Sequence, residues 1–193
     1  MSTLTPIISH GDGLARLAAQ LAQSAWKRHL LFLLAALCSI AFIGYHFGTF
    51  DQDVHIPSLK ATADPTLFRN DPFLELRSQH YSYFWFFFIP LYRAGLLEPA
   101  MLITHIVTIY LTFWAIWVLS DTLFHNPLAA LLAVLAFIFP HLGYGGFPLL
   151  EFSLLNRAFV LPFLLWAIIL LANTFLLMVR YSLWARDSEY GNC

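Results

Sequence analysis

Apolar positions in this chain gather into long unbroken runs, with polar residues pushed to their borders. The first run, 30–47, holds enough residues to cross a hydrocarbon layer of roughly 30 Å at about 1.5 Å per residue. A second, 100–119, opens with Glu98-Pro99, and proline suits a first helical turn. A third, 126–142, is short, ends near Pro140, and needs bilayer thinning to cross. A fourth, 158–179, follows Asn156, a good N-cap residue. The predicted fold is all-α and multi-pass, with about four spans.

Between the first two runs lies a segment of different texture, 49–98. It mixes acids (Asp51, Asp53, Asp64, Asp71, Glu75, Glu98) with bases (Lys60, Arg69, Arg77, Arg93) and carries two Asp-Pro turn signals. Its aromatic stretch Tyr81–Tyr92 is broken by Pro90 and is too short for a span; it suits the membrane interface. A connection of this length is functional or disordered, and its aromatic content favours function. It reads as an outer loop of short in-plane helices.

Composition agrees with a lipid environment. Hydrophobic residues make up 60% and charged residues 11% of the chain, with mean hydropathy +0.70 and formal net charge −1. That balance excludes a soluble enzyme and a basic nucleic-acid-binding surface. Cys38 and Cys193 form neither a disulfide framework nor a zinc spacing. Residues 1–29 lack a cleavage-site pattern, so an uncleaved first anchor is expected. Arg16, Lys27 and Arg28 flank the first span, and Arg180 and Arg186 follow the last. Four spans bring both groups to the cytoplasmic side, which places the N-terminal segment 1–29 and the tail 180–193 there, in the plasma (inner) membrane.

Candidate chemistry starts at Phe50-Asp51-Gln52-Asp53-Val54-His55, where two carboxylates and an imidazole stand at the mouth of a membrane helix. Ionisable groups there are costly to hold near hydrocarbon and mark ion, phosphate or acid–base sites. In an extended segment Asp51, Asp53 and His55 form one row able to ligate magnesium or manganese. The same carboxylates equally serve as a base toward a hydroxyl, or simply as solvated residues capping a helix after Ile56. Among the bases, Arg157 opens the fourth span, where helix amides and a guanidinium make a phosphate site. Interfacial snorkelling is the plainer reading for each of these bases. Glu151 and the turn 140–146 are positioned to add to such a site. Within the second span, His105, Thr108 and Thr112 form a polar stripe, which reads first as helix packing around a hydrogen-bonded core histidine and second as a cavity lining. His46 and His80 have no assignable partner in the sequence.

The order of features, with Tyr45–Pro57 at the loop entrance and the element Ala63-Asp64-Pro65-Thr66-Leu67-Phe68-Arg69-Asn70-Asp71-Pro72-Phe73 following, resembles the GT-C superfamily of polytopic glycosyltransferases. The closer likeness is to an uncharacterised bacterial branch, over about 44–172. The resemblance implies sugar transfer from a polyprenyl-phosphate donor on the outer face. A first-loop acid, here Asp51 or Asp53, would act as base or metal ligand. Members of the superfamily carry further spans, so the chain reads as an N-terminal fragment or subunit that is inactive alone. The alternative is a non-enzymatic membrane subunit that docks a polytopic partner through its aromatic loop. A transporter component built on His105 is the weakest alternative, since no span carries an acid.

Overall fold

A computed structural model describes residues 10–49, 51–77, 83–142 and 148–190, with side chains over 13–49, 51–74, 83–142 and 148–182. Every regular element described is helical. They are α1 (His10–Gln23), α2 (Ala25–Ile43), α3 (Asp51–Ala63), α4 (Pro72–Arg77), a 3-10 turn (Tyr83–Phe88), α5 (Ile89–Arg93), α6 (Leu97–Phe124), α7 (Pro127–Phe137) and α8 (Asn156–Tyr190). The expected all-α, multi-pass membrane architecture is what forms. Three helices, α2, α6 and α8 as far as Ser182, are long and apolar enough to cross a membrane.

The third expected span is the exception. α7 has 11 residues, a rise of about 16 Å, roughly half of a hydrocarbon core. Asn126 and Pro127 start it cleanly: the asparagine Oδ1 accepts from Leu128 N at 2.9 Å, and proline occupies the first turn. Its far end frays because Phe139-Pro140 cannot continue a helix.

Contacts nevertheless carry the chain back and forth between two ends. The ring of His29 on α2 lies against Trp114 on α6, and Tyr45 just beyond α2 lies against His105, so α2 and α6 are antiparallel. His125, in the left-handed conformation with φ 50°, closes α6 and reverses the chain into α7. α7 and the segment after it return toward the α3 end, where Phe139 meets Phe42 and Phe152 O accepts from His46 N at 2.8 Å. α8 then runs parallel to α6, with Trp166 packed on Trp114 at 5.2 Å between ring centroids. Three helices thus have the length of a membrane span, and the shorter α7 leads the chain back from the α6–α7 corner toward the α3 end. In the non-helical segment ahead of α8, Leu150, Glu151 and Ser153–Leu155 are buried in the protein.

Two apolar clusters hold this together. One joins α1, α2, α6 and α7 around Phe32, Phe113, Trp117 and Leu131, and α1 contributes Ala18 and Leu21 to it. The other lies beneath the loop helices and joins Ile56, Leu59, Trp85, Phe88, Met101 and Leu154. The loop between α2 and α6 is therefore a folded cap with its own core. Its Asp-Pro signals act as turns: Asp64 Oδ1 accepts from Thr66 N at 2.9 Å, and Asp71 Oδ1 accepts from Phe73 N at 2.9 Å as α4 begins. The aromatic stretch forms two short helical pieces and no span.

Candidate functional site

The expected extended row of Asp51, Asp53 and His55 does not form, because Asp51 is the first residue of a helix. Each helical residue turns about 100°, so Asp53 points to the opposite side from Asp51 while His55 returns toward it. The burial pattern explains the helix: Gln52, Ile56 and Leu59, at i, i+4 and i+7, are the buried residues of α3. The His55 ring stacks on Trp85, with centroids 4.7 Å apart and planes within 19°. Among the described residues no three His, Cys, Asp or Glu side chains gather as a metal set. The three residues therefore do not fit one common cation.

Asp51 and Arg157, 106 residues apart, come together instead. Arg157 Nη1 donates to Asp51 Oδ2 at 3.0 Å, and its Nε donates to Glu151 Oε1. The guanidinium thus spans an exposed carboxylate and a buried one, their side chains 53% and 7% exposed. Charge-assisted bonds of this kind orient both partners strongly. Asp51 and Asp53 also lie in the first turn of α3, where the helix dipole favours negative charge.

Burial pushes the Glu151 carboxyl above its ordinary range; the bond to Arg157 and its positive charge oppose this, and the Asp51 charge adds to it. With both carboxylates ionised the triad carries a net charge of −1. As arranged, it favours a hydroxyl or a cation over a bare phosphate, so the phosphate-holding role expected of Arg157 requires the guanidinium to leave a carboxylate. Tyr45, just past α2, is pushed up to about 12 by its own burial and then by the Glu98 charge, which keeps its hydroxyl neutral.

A buried amide sets the spacing of the triad. Gln52 is fully buried; its Oε1 accepts from Gly48 N and its Nε2 donates to Leu154 O, both at 2.8 Å. It fastens the turn before α3 to the strand of chain that leads into α8. Asp51 lies three residues after Gly48 and Arg157 three residues after Leu154, its two anchor points. Gly48 has φ +73°, a left-handed conformation that favours glycine at this turn. The sequence alone assigned Gln52 no role. The signal that identifies it is the same i, i+4, i+7 face it shares with Ile56 and Leu59.

The other bases serve the cap. Lys60 sits over the Tyr92 ring at 6.0 Å, Arg93 Nη2 donates to Ala63 O at 3.1 Å, and Arg69 is exposed. The ring of His46 packs edge-on against Phe152. His80, residues 143–146 of the glycine turn, and the side chains of Glu75 and Arg77 lie outside the described residues. His105 is buried as expected, yet among the described residues neither ring nitrogen has a hydrogen-bond partner, and it lines a cavity. Thr108 and Thr112 donate to the carbonyls of Thr104 and Thr108, at 2.8 and 2.9 Å.

No protein family, curated protein or solved structure matches the chain.

Proposed function

We propose that this chain is a subunit of a membrane-embedded transferase, and that Asp51 is its acid–base carboxylate toward a hydroxyl acceptor at the membrane face. The substrate class suggested by the GT-C resemblance is a sugar carried on a polyprenyl phosphate. The observation that carries the reading is the Arg157 bridge between exposed Asp51 and buried Glu151. The bond from the guanidinium fixes the direction of the Asp51 carboxylate, while its side chain stays exposed enough to reach an acceptor. Asp51 in this role accepts the acceptor's proton as the acceptor oxygen attacks the sugar's anomeric carbon, while the bond from that carbon to the phosphate oxygen breaks and polyprenyl phosphate leaves with its electron pair. Arg157 positions Asp51, Glu151 positions Arg157, and Gln52 sets the distance between α3 and α8. No metal takes part in this reading.

The test is transfer from a radiolabelled polyprenyl-phosphate sugar in membranes containing the chain with its native membrane partners. Asp51→Asn keeps shape and one hydrogen bond but removes the base, and a loss of about 10²- to 10⁴-fold is expected. Asp53→Asn, on the far side of α3, leaves transfer unchanged. Undiminished transfer by the Asp51 variant overturns the reading. Stable capture of a polytopic partner together with that tolerance would identify a non-enzymatic subunit.

A further inference from the structure

A second polar site lies inside the bundle, behind the charged triad. A cavity of about 10 Å³ is lined by α6, by the segment Leu149–Glu151 and by the start of α8. Its polar lining is His105, Thr108, Thr112 and Glu151, and its apolar lining includes Leu150 and Ala158. That volume is about one probe sphere, the room a single water needs.

The hydrogen-bond inventory of the lining calls for such a molecule. His105 is 1% exposed, and both ring nitrogens are buried without a partner among the described residues. A neutral imidazole presents one donor and one acceptor, and buried polar groups of this kind are almost always satisfied. Thr108 and Thr112 spend their hydroxyl protons on carbonyls of their own helix, which leaves both oxygens as acceptors only. Glu151 is buried and gives one oxygen to Arg157. Acceptors therefore crowd the cavity, and a donor that can also accept is what they lack.

We propose that this cavity binds one water molecule, which bridges His105 on α6 to the Glu151 carboxyl and so extends the polar network from the Asp51–Arg157 pair into the bundle. Water is the occupant because the room beside these groups is that of one water, and the lining supplies the two to four polar partners an ordered water requires. The site is independent of the transferase reading: it needs only the cavity and the unpartnered imidazole.

X-ray radiolytic footprinting of the full chain in lipid nanodiscs tests it, since bound water generates hydroxyl radicals where it sits. His105 should be labelled in spite of its burial, on the time course of exposed His125. Ala158→Leu, which fills the cavity, should abolish labelling at His105 and leave His125 unchanged. Protection of His105 in the wild type overturns the proposal, and so does labelling that persists in the filled variant. Should that variant fail to fold, water-edited solid-state NMR on the wild type decides: transfer of magnetisation from water to the His105 ring supports the site, and its absence overturns it.

Discussion

α6 and α8 run side by side in the same direction, yet they are used in opposite ways. The most apolar window of α8 has the higher mean hydropathy, 2.3 against 1.9, and is the less buried, 11% against 44%. A soluble protein would bury the greasier helix. Here lipid is as apolar as leucine, so hydrophobicity gives a helix no reason to seek protein. Packing and polar contacts do, and α6 has both: His105, Thr108, Thr112, Ala115 and Ser120 all face protein. α8 is engaged in its first turns, through Arg157, Phe159 against Phe84, and Trp166 against Trp114. Beyond Ile169 it presents Leu170, Leu171, Phe175, Leu177 and Met178 outward, each at least 65% exposed.

The largest effect that separates the two helices is a matched pair of truncations. Phe113→Ala empties a fully buried position in the α2–α6–α7 cluster and should cost about 3–5 kcal/mol. Phe175→Ala, on the outer face of α8, should cost under about 0.5 kcal/mol. Reversible unfolding in mixed micelles measures both. Equal costs would mean that α8 is covered by protein and that the contrast belongs to the isolated chain.

The same contrast explains what could be read beforehand. Long apolar runs announce membrane helices because the backbone must satisfy itself in lipid, so α2, α6 and α8 were visible as spans. The polar stripe on α6 was visible too, since a histidine and threonines at helical spacing stand out against leucine. The third run, 126–142, was legible as apolar up to its Pro140 stop, but the helix it forms, α7, is too short to make the span expected there. The site was legible only in parts. Asp51 and Arg157 could each be picked out as ionisable groups at a helix mouth, but their pairing depends on how α3 and α8 meet. α3 itself was misread as extended at its start: Pro57 and the flanking acids look like loop, and the Gln52–Ile56–Leu59 face prevails only through burial beneath the cap.

The anchor of α8 offers the next test. Gln52→Leu removes the donor to Leu154 O and the acceptor for Gly48 N, leaving both backbone groups without their side-chain partner. A loss of about 1–3 kcal/mol is expected. Because the anchor sits at one end of α8, spin labels on α3 and near the start of α8 should also broaden in mutual distance, while a pair spanning α6 and α7 stays sharp. An unchanged α3–α8 distance would mean that apolar packing alone positions the triad.

At the opposite end, Asn126→Ala removes the side-chain cap of α7 at the α6–α7 corner. About 1 kcal/mol should be lost. The site is remote from the anchor of α8, so its cost should add to that of Gln52→Leu in the double variant. A marked departure from additivity would show that the two ends of the bundle fold as one tightly coupled unit.

The smallest effect is a slope, and it reports on the anchor through its buried carboxyl. Glu151 lies in the connection ahead of α8, and its burial raises its proton affinity above the ordinary value of 4.5. The folded chain therefore keeps this proton over a pH range in which the unfolded chain has lost it. Its contribution to stability is full below 4.5 and falls as pH climbs from there through the folded value. Asp64 has the reverse sign: bonds from Thr66 lower it below 3.8, so its contribution is present above 3.8 and is lost as pH falls through the lower folded value. Melting temperatures in micelles between about pH 4 and about pH 7 should thus carry a downward component with rising pH that Glu151→Gln removes and Asp64→Asn does not. If the glutamine variant keeps the slope, Arg157 holds Glu151 ionised in the folded chain, and electrostatic pairing outweighs burial in the connection that leads into α8.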